Sequence, residues 1–237
     1  TTSILLFISC NSAPQSEAST TLEQFADLKV IQYEIPGFEQ LSLKQKKLVY
    51  YLSQAGLEGR DIMYDQNYRH NLSIRIAFEN IYQNYTGDKT TALWGHFENY
   101  LKRLWFSNGI HHHYANDKFD PEFTAEELNM LMEATNTSLD PLAFEAIFSD
   151  ADSKKVNRDP KLDVIQHSAI NFYAPDVTQA EVENYYKQVE IENPERPISM
   201  GLNSTLVKEN GQLVEKVWKV GGLYSPAIER IVGWLEK

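Results

Sequence analysis

Two stretches of the chain repeat one spacing of large apolar residues, and that repeat limits the fold more than any other feature. Ile74, Phe78, Ile81 and Tyr85 lie 4, 3 and 4 residues apart, and Leu93, Phe97, Tyr100 and Leu104 show the same intervals. Side chains so spaced share one face of a 3.6-residue helix, so each stretch predicts an amphipathic helix. Gly87 closes the first, and residues 86–90 leave room for little more than a reversal. An antiparallel helix pair is therefore expected.

Start and stop signals predict further helices. Ser42 can cap a helix whose apolar positions are Leu48, Leu52 and Ala55, with Gly56 and Gly59 punctuating its end. Thr124 with Glu127, and Thr178 with Glu181, are capping boxes, because each threonine and the glutamate three residues on can satisfy one another's backbone amides. Val182, Tyr185, Tyr186 and Val189 follow the second box, and Pro194 and Pro197 bar continuation of that helix. Asp140-Pro141 predicts a short helix through Phe148. Ser225-Pro226 caps a last one, with Ile228, Ile231, Val232 and Leu235 expected to face inward. Strand signals are fewer. Residues 28–35 (LKVIQYEI) read as a strand closed by Pro36-Gly37, and residues 202–207 and 213–220 flank Asn210-Gly211, a hairpin turn. Residues 149–161 read as an exposed loop; the DADSKK within it has the acidic spacing of a calcium loop but lacks its glycine and distal glutamate. The fold class expected is α+β, helix-rich, with a few antiparallel strands.

Composition narrows the partners. With 42% hydrophobic and 12% aromatic residues in 237, the chain can bury a sizeable core. A formal net charge of -11 without any basic run argues against nucleic acid. The one cysteine, Cys10, ends the apolar run TTSILLFIS and precedes a small, polar stretch. The arrangement resembles a bacterial lipoprotein signal, which implies a lipidated Cys10 and a protein anchored at the cell envelope, in the periplasm or at the outer membrane. The alternative is a lone thiol in a frayed terminus. Residues 1–24 are accordingly expected to be signal and flexible tether, and residues 25–237 the folded part. The missing initiator methionine and basic leader at one end, and the absence of a closing glycine at the other, lead us to expect a fragment.

The most unusual chemistry lies in WFSNGIHHHYANDKFDPEF, residues 105–123. Asn108-Gly109 is a turn dipeptide that must stop the preceding helix, and Pro121 prevents a helix from running out of the histidines. An ordered loop clamped between two helices is expected. If it is extended, His111 and His113 share a face and His112 opposes them. Adjacent histidines cannot all ligate one metal. Two readings stay open on residue chemistry: histidines satisfied structurally at the surface or by buried carbonyls, or a cleft wall that contacts a ligand.

The chain has no HExxH, no GxSxG, no Walker loop and no dinucleotide fingerprint. Its segment order nevertheless resembles a known family. LSLKQKKLVYYLSQAGLEGRDIMYDQNYRHN (residues 41–71) followed by LWFSNGIHHHYANDKFDPEF (residues 104–123) is similar to the N-terminal region of bacterial dipeptidyl peptidase III, zinc exopeptidases that release dipeptides from the N-termini of short peptides. The resemblance implies a two-lobed parent much longer than this chain. This piece would belong mainly to the lobe without zinc, and the histidine loop would border the cleft between lobes. The family's HExxGH helix, and the later glutamate that completes the zinc site, have no counterpart here. The resemblance therefore implies no catalytic and no metal residue in this chain, and zinc only in the full-length parent. Matching the motif, and implied to position peptide, are Asn108, Gly109, His111, His112, His113, Tyr114, Asn116, Asp117 and Lys118. The partners implied are short peptides, the missing C-terminal part of the same enzyme, and a membrane through the lipid anchor alone. A lipid-anchored, non-catalytic binding domain of the cell envelope is the rival reading.

Overall fold

Residues 20–192, 195 and 203–237 are described by the computed structural model. Cys10, Pro194, Pro197 and Leu202 lie outside them. The chain divides into two compact units, the first ending at Glu39 and the second running from Gln40.

The first unit holds an antiparallel hairpin of β1 (Thr21–Phe25) and β2 (Leu28–Ile31). Phe25 pairs with Leu28, and Ala26 takes a left-handed φ of 46° at the turn. The strand expected over 28–35 thus ends at Ile31, and residues 21–24, expected to be tether, form its partner. The physical reason is that a lone strand leaves its amides unpaired, so the β-prone residues nearest in sequence are recruited to it.

Among the described residues the second unit holds eight α-helices: α1 (Leu43–Glu58), α2 (Arg60–Asn67), α3 (Asn71–Asn84), α4 (Ala92–Ser107), α5 (Ala125–Ala134), α6 (Pro141–Phe148), α7 (Gln179–Glu192) and α8 (Ser225–Leu235). One further hairpin, β3 (Ser204–Glu209) with β4 (Gln212–Val217), makes the chain helix-rich α+β. The residues of the repeated 4, 3, 4 spacing build the core. Ile74, Phe78, Ile81, Phe97 and Leu104 are wholly buried. Phe78 meets Phe97 and Tyr100 at 5.1 and 5.7 Å, while Tyr85, the C-cap of α3, stacks on Trp94, earlier in α4, at 4.9 Å. That order of contacts is the antiparallel one. α5 and α6 close the core with Leu128, Leu131, Ala143 and Ile147, and each large side chain so buried contributes roughly 1.5–3 kcal/mol.

The caps form as their chemistry dictates. Ser42 with Gln45 and Thr124 with Glu127 make reciprocal capping boxes, Thr178 and Glu181 exchange the same bonds, and Asp140 accepts from Leu142 and Ala143 amides. Asn210 and Gly211 take φ of 50° and 78°, as a two-residue hairpin turn requires. Leu206 of β3 is wholly buried beside Val177 and Val182 in a second, smaller cluster.

Three expectations need correction. β4 stops at Val217 rather than running to residue 220. Tyr224, with φ 60°, is the N-cap of α8, while Ser225 sits inside the helix and bonds the Gly221 amide and Glu229. Val232 and Leu235 are 37% and 56% exposed, and in α1 Leu48 and Leu52 are 58% and 50% exposed, with Ala55 buried. The cause is shared: α1 and α8 pack chiefly on each other, through Tyr50 and Tyr51 against Trp234 and an Arg230–Glu58 ion pair at 2.5 Å, so part of each apolar face looks outward.

Candidate functional site

The last turn of α4 delivers the chain to the histidine loop. Asn108 takes the left-handed conformation, φ 52°, and Gly109 follows at φ 145°, where a side chain is disfavoured. Asn71, wholly buried in the first turn of α3, holds both ends of this turn. Its Oδ1 accepts the Ile110 amide at 3.0 Å and its Nδ2 donates to the Asn108 carbonyl at 3.4 Å, where Asn67 Nδ2 donates as well, at 3.0 Å.

Past the turn, residues 110–112 and 117–119 run antiparallel. The Phe119 amide donates to the Ile110 carbonyl at 2.8 Å and the His112 amide to the Asp117 carbonyl at 2.7 Å. Residues 153–155 extend this ladder: the Lys118 amide donates to Ser153 and the Lys155 amide to Asn116, while Ala169 and Ile170 donate to the carbonyls of Lys154 and Lys155. The segment expected to be an exposed loop therefore supplies backbone partners to the histidine loop. Low apolar content concealed this, because the pairing uses main-chain groups that any residue carries.

The three imidazoles have three different environments. His111 is 2% exposed, and its Nε2 lies 2.7 Å from the Asp152 carbonyl, which can only accept; Nε2 therefore carries the proton. Burial pushes its pKa down to about 4, so the ring is neutral at pH 7. His112 Nδ1 accepts the amides of Tyr114 and Ala115, both at 3.1 Å, as the carboxylate of an Asx-turn would. That bond folds residues 113–115 into a turn, so the loop is not extended and His111 and His113 do not share a face. The His113 ring instead lies 4.9 Å from those of His112 and Phe106 and 3.8 Å from that of Tyr114. Tyr114 is 83% exposed.

The other motif residues complete the frame. Lys118 Nζ donates to the carbonyls of Ala146, at 3.1 Å, and Ser149, placing its charge at the C-terminus of α6, and burial lowers its pKa. Asp117 pairs with Lys154 beside the ladder. Asn116 turns the chain back with φ 66°. Asp152, whose carbonyl holds His111, receives Tyr68 Oη at 3.0 Å and Arg69 at 3.4 Å on its carboxylate. The contacts of Asn71 and Asp152 with the histidine loop are not legible in the sequence, where Asp152 stands out only for the acidic spacing of DADSKK. A buried asparagine at a helix start looks like any cap, and the part of Asp152 that matters to His111 is backbone.

The nine motif residues are thus contiguous but unequal. Asn108, Gly109, His111 and Lys118 build an interior scaffold, and Tyr114, with its backing of His112 and His113 rings, presents a surface. Among the described residues no three His, Cys, Asp or Glu side chains come together to hold a metal ion. No helix among them is long and apolar enough to cross a membrane. What the arrangement can supply chemically is hydrogen bonding and aromatic contact at a fixed position.

No family model and no curated protein matches this chain. Among solved structures it is similar to DPP III from Caldithrix abyssi, with 18% identity and a TM-score of 0.43 over 86% of this chain. The match spans 28% of that structure's chain.

Proposed function

We propose that this chain is the N-terminal part of a zinc-dependent dipeptidyl peptidase of the dipeptidyl peptidase III type, and that its histidine loop forms part of the peptide cleft. The observation that carries the reading is the meeting of two sequence blocks. The resemblance rests on residues 41–71 and 104–123, and Asn67 and Asn71 from the first clasp the Asn108–Ile110 backbone of the second. Two motifs far apart in sequence are thereby one structural unit.

In this reading the scaffold residues hold the loop and Tyr114 meets the peptide. A tyrosine hydroxyl bonds a peptide backbone whatever its side chains, giving orientation without strong sequence preference. His113 stiffens that tyrosine through ring contact. Zinc, held by residues of the parent outside this chain, would activate water for attack on the peptide carbonyl. The outward apolar residues of α1, Leu48 and Leu52 among them, also favour a larger parent, since large apolar patches commonly mark interaction surfaces. Lipidation of Cys10 would tether the enzyme at the cell envelope.

The test begins with the coding sequence beyond Lys237, where an in-frame HExxGH is expected and an early stop codon would favour the non-catalytic binding domain instead. The isolated chain, given zinc and a dipeptidyl chromogenic substrate, is expected to show no turnover above a heat-treated control. Metal-dependent turnover by the fragment would overturn the assignment of the zinc site to the rest of the parent.

A further inference from the structure

Away from the histidine loop, α2, α3 and the end of α4 enclose a cavity of about 320 Å³ lined by Arg60, Tyr64, Arg75, Glu79 and Trp105. Its construction follows from helical spacing. Arg60 and Tyr64 are i, i+4 on α2, Arg75 and Glu79 are i, i+4 on α3, and both pairs face the indole of Trp105. The Arg75 guanidinium lies over the Tyr64 ring at 4.6 Å, and is fixed by Asp61 at 2.9 Å and Glu79 at 3.5 Å. Glu79 Oε1 also accepts the Trp105 indole N–H at 2.9 Å. Tyr64 is almost wholly buried, while Trp105 is 36% exposed. Arg60, in contrast to Arg75, makes no ion pair among the described residues and is exposed at the cavity edge.

From these contacts we infer that the cavity is a binding site for a small planar organic anion, an aromatic carboxylate by class. The lining holds two guanidinium groups and one carboxylate, and Asp61 behind Arg75 balances the second charge, so the cation open to a ligand is that of Arg60. Arg75 is already neutralised by acidic neighbours, which leaves Arg60 to form the bidentate pair that a guanidinium makes with a carboxylate. The flat faces are supplied by Trp105 and by the outer side of the Arg75 guanidinium, whose inner side rests on Tyr64. The volume suits a single ring with a short acidic arm, being at the lower end of small-molecule pockets. This site is independent of the peptidase reading, because none of its residues belongs to the motif implied to position peptide.

The test is calorimetric titration of the 237-residue chain with benzoate, and with benzyl alcohol, cyclohexanecarboxylate and inorganic phosphate as comparisons. Benzoate is expected to bind one to one, at least about tenfold tighter than each comparison. Arg60→Gln, at an exposed position, should weaken benzoate by about tenfold or more while leaving the circular dichroism spectrum unchanged, and Trp105→Leu should weaken it similarly. Absence of saturable benzoate binding to the wild-type chain would overturn the proposal. So would equal binding of phosphate or cyclohexanecarboxylate, or benzoate affinity unchanged in Arg60→Gln.

Discussion

A Cβ placed on Gly109 would lie 2.0 Å from Nδ2 of Asn71, so the glycine and the buried asparagine fit only together. Gly109 also has φ 145°, where an L side chain is strained. Gly109→Ala should destabilise the chain by about 3 kcal/mol or more, combining overpacking with backbone strain. Asn71→Ala should cost about 1–3 kcal/mol, because the buried Ile110 amide loses its acceptor. The double variant should be less destabilised than the sum, since truncating Asn71 removes the clash. Denaturant unfolding of all three checks this, and strict additivity would contradict it.

His111 makes stability depend on pH in a definite direction. Its folded pKa is about 4, below the usual 6.5, because burial disfavours the charged ring. Between those values the unfolded state binds more protons, so stability rises with pH across the window. The contribution is complete above pH 6.5 and is lost as the pH falls toward 4, an effect on the order of 3 kcal/mol. His111→Gln keeps an N–H for the Asp152 carbonyl but has no group to titrate. Its urea midpoint should fall less than the wild type's between pH 7.5 and 5; equal falls would contradict the buried, neutral assignment.

Lys118 ties the loop to the end of α6. Lys118→Met keeps the length of the stem and removes the ammonium that serves the Ala146 and Ser149 carbonyls. A loss of about 1.5–3 kcal/mol is expected, the range for hydrogen bonds to charged groups, with hydrogen exchange rising first around residues 146–149. Unchanged stability and unchanged exchange would show the contact to be dispensable.

How far the sequence carried the fold depended on whether the signal was local. Ile74 to Leu104 could be read because helical burial repeats at a fixed interval, and Ser42, Thr124, Asp140 and Asn210-Gly211 because caps and turns are satisfied within a few residues. α1 and α8 are legible as helices, yet Val232 and Leu235, expected to face inward, look outward, as do Leu48 and Leu52 of α1, since periodicity finds an apolar face without saying what covers it. At the histidine loop the turn at Asn108-Gly109 and the clamping helices were legible. The split roles of the imidazoles were not. They depend on the Asp152 carbonyl, the Asn71 amide and the pairing of residues 153–155, all distant in sequence from the histidines they govern.

Variants of Tyr114 and His113 in the full-length parent test the proposed peptide cleft. Tyr114 is 83% exposed, so Tyr114→Ala should leave the melting temperature and zinc content unchanged while lowering kcat/KM by about tenfold, as expected when an orienting contact is lost. His113→Ala should give a smaller loss through a looser Tyr114. Full kcat/KM per folded molecule in Tyr114→Ala would reject the cleft assignment.

The central claim is most directly tested by incubating the purified full-length parent with a peptide of about six residues and identifying the products by mass spectrometry, before and after treatment with a zinc chelator. The account predicts sequential release of dipeptides from the N-terminus, abolished by the chelator and restored by added zinc. Intact peptide under all conditions, cleavage at internal or C-terminal positions, or dipeptide release indifferent to zinc would contradict it.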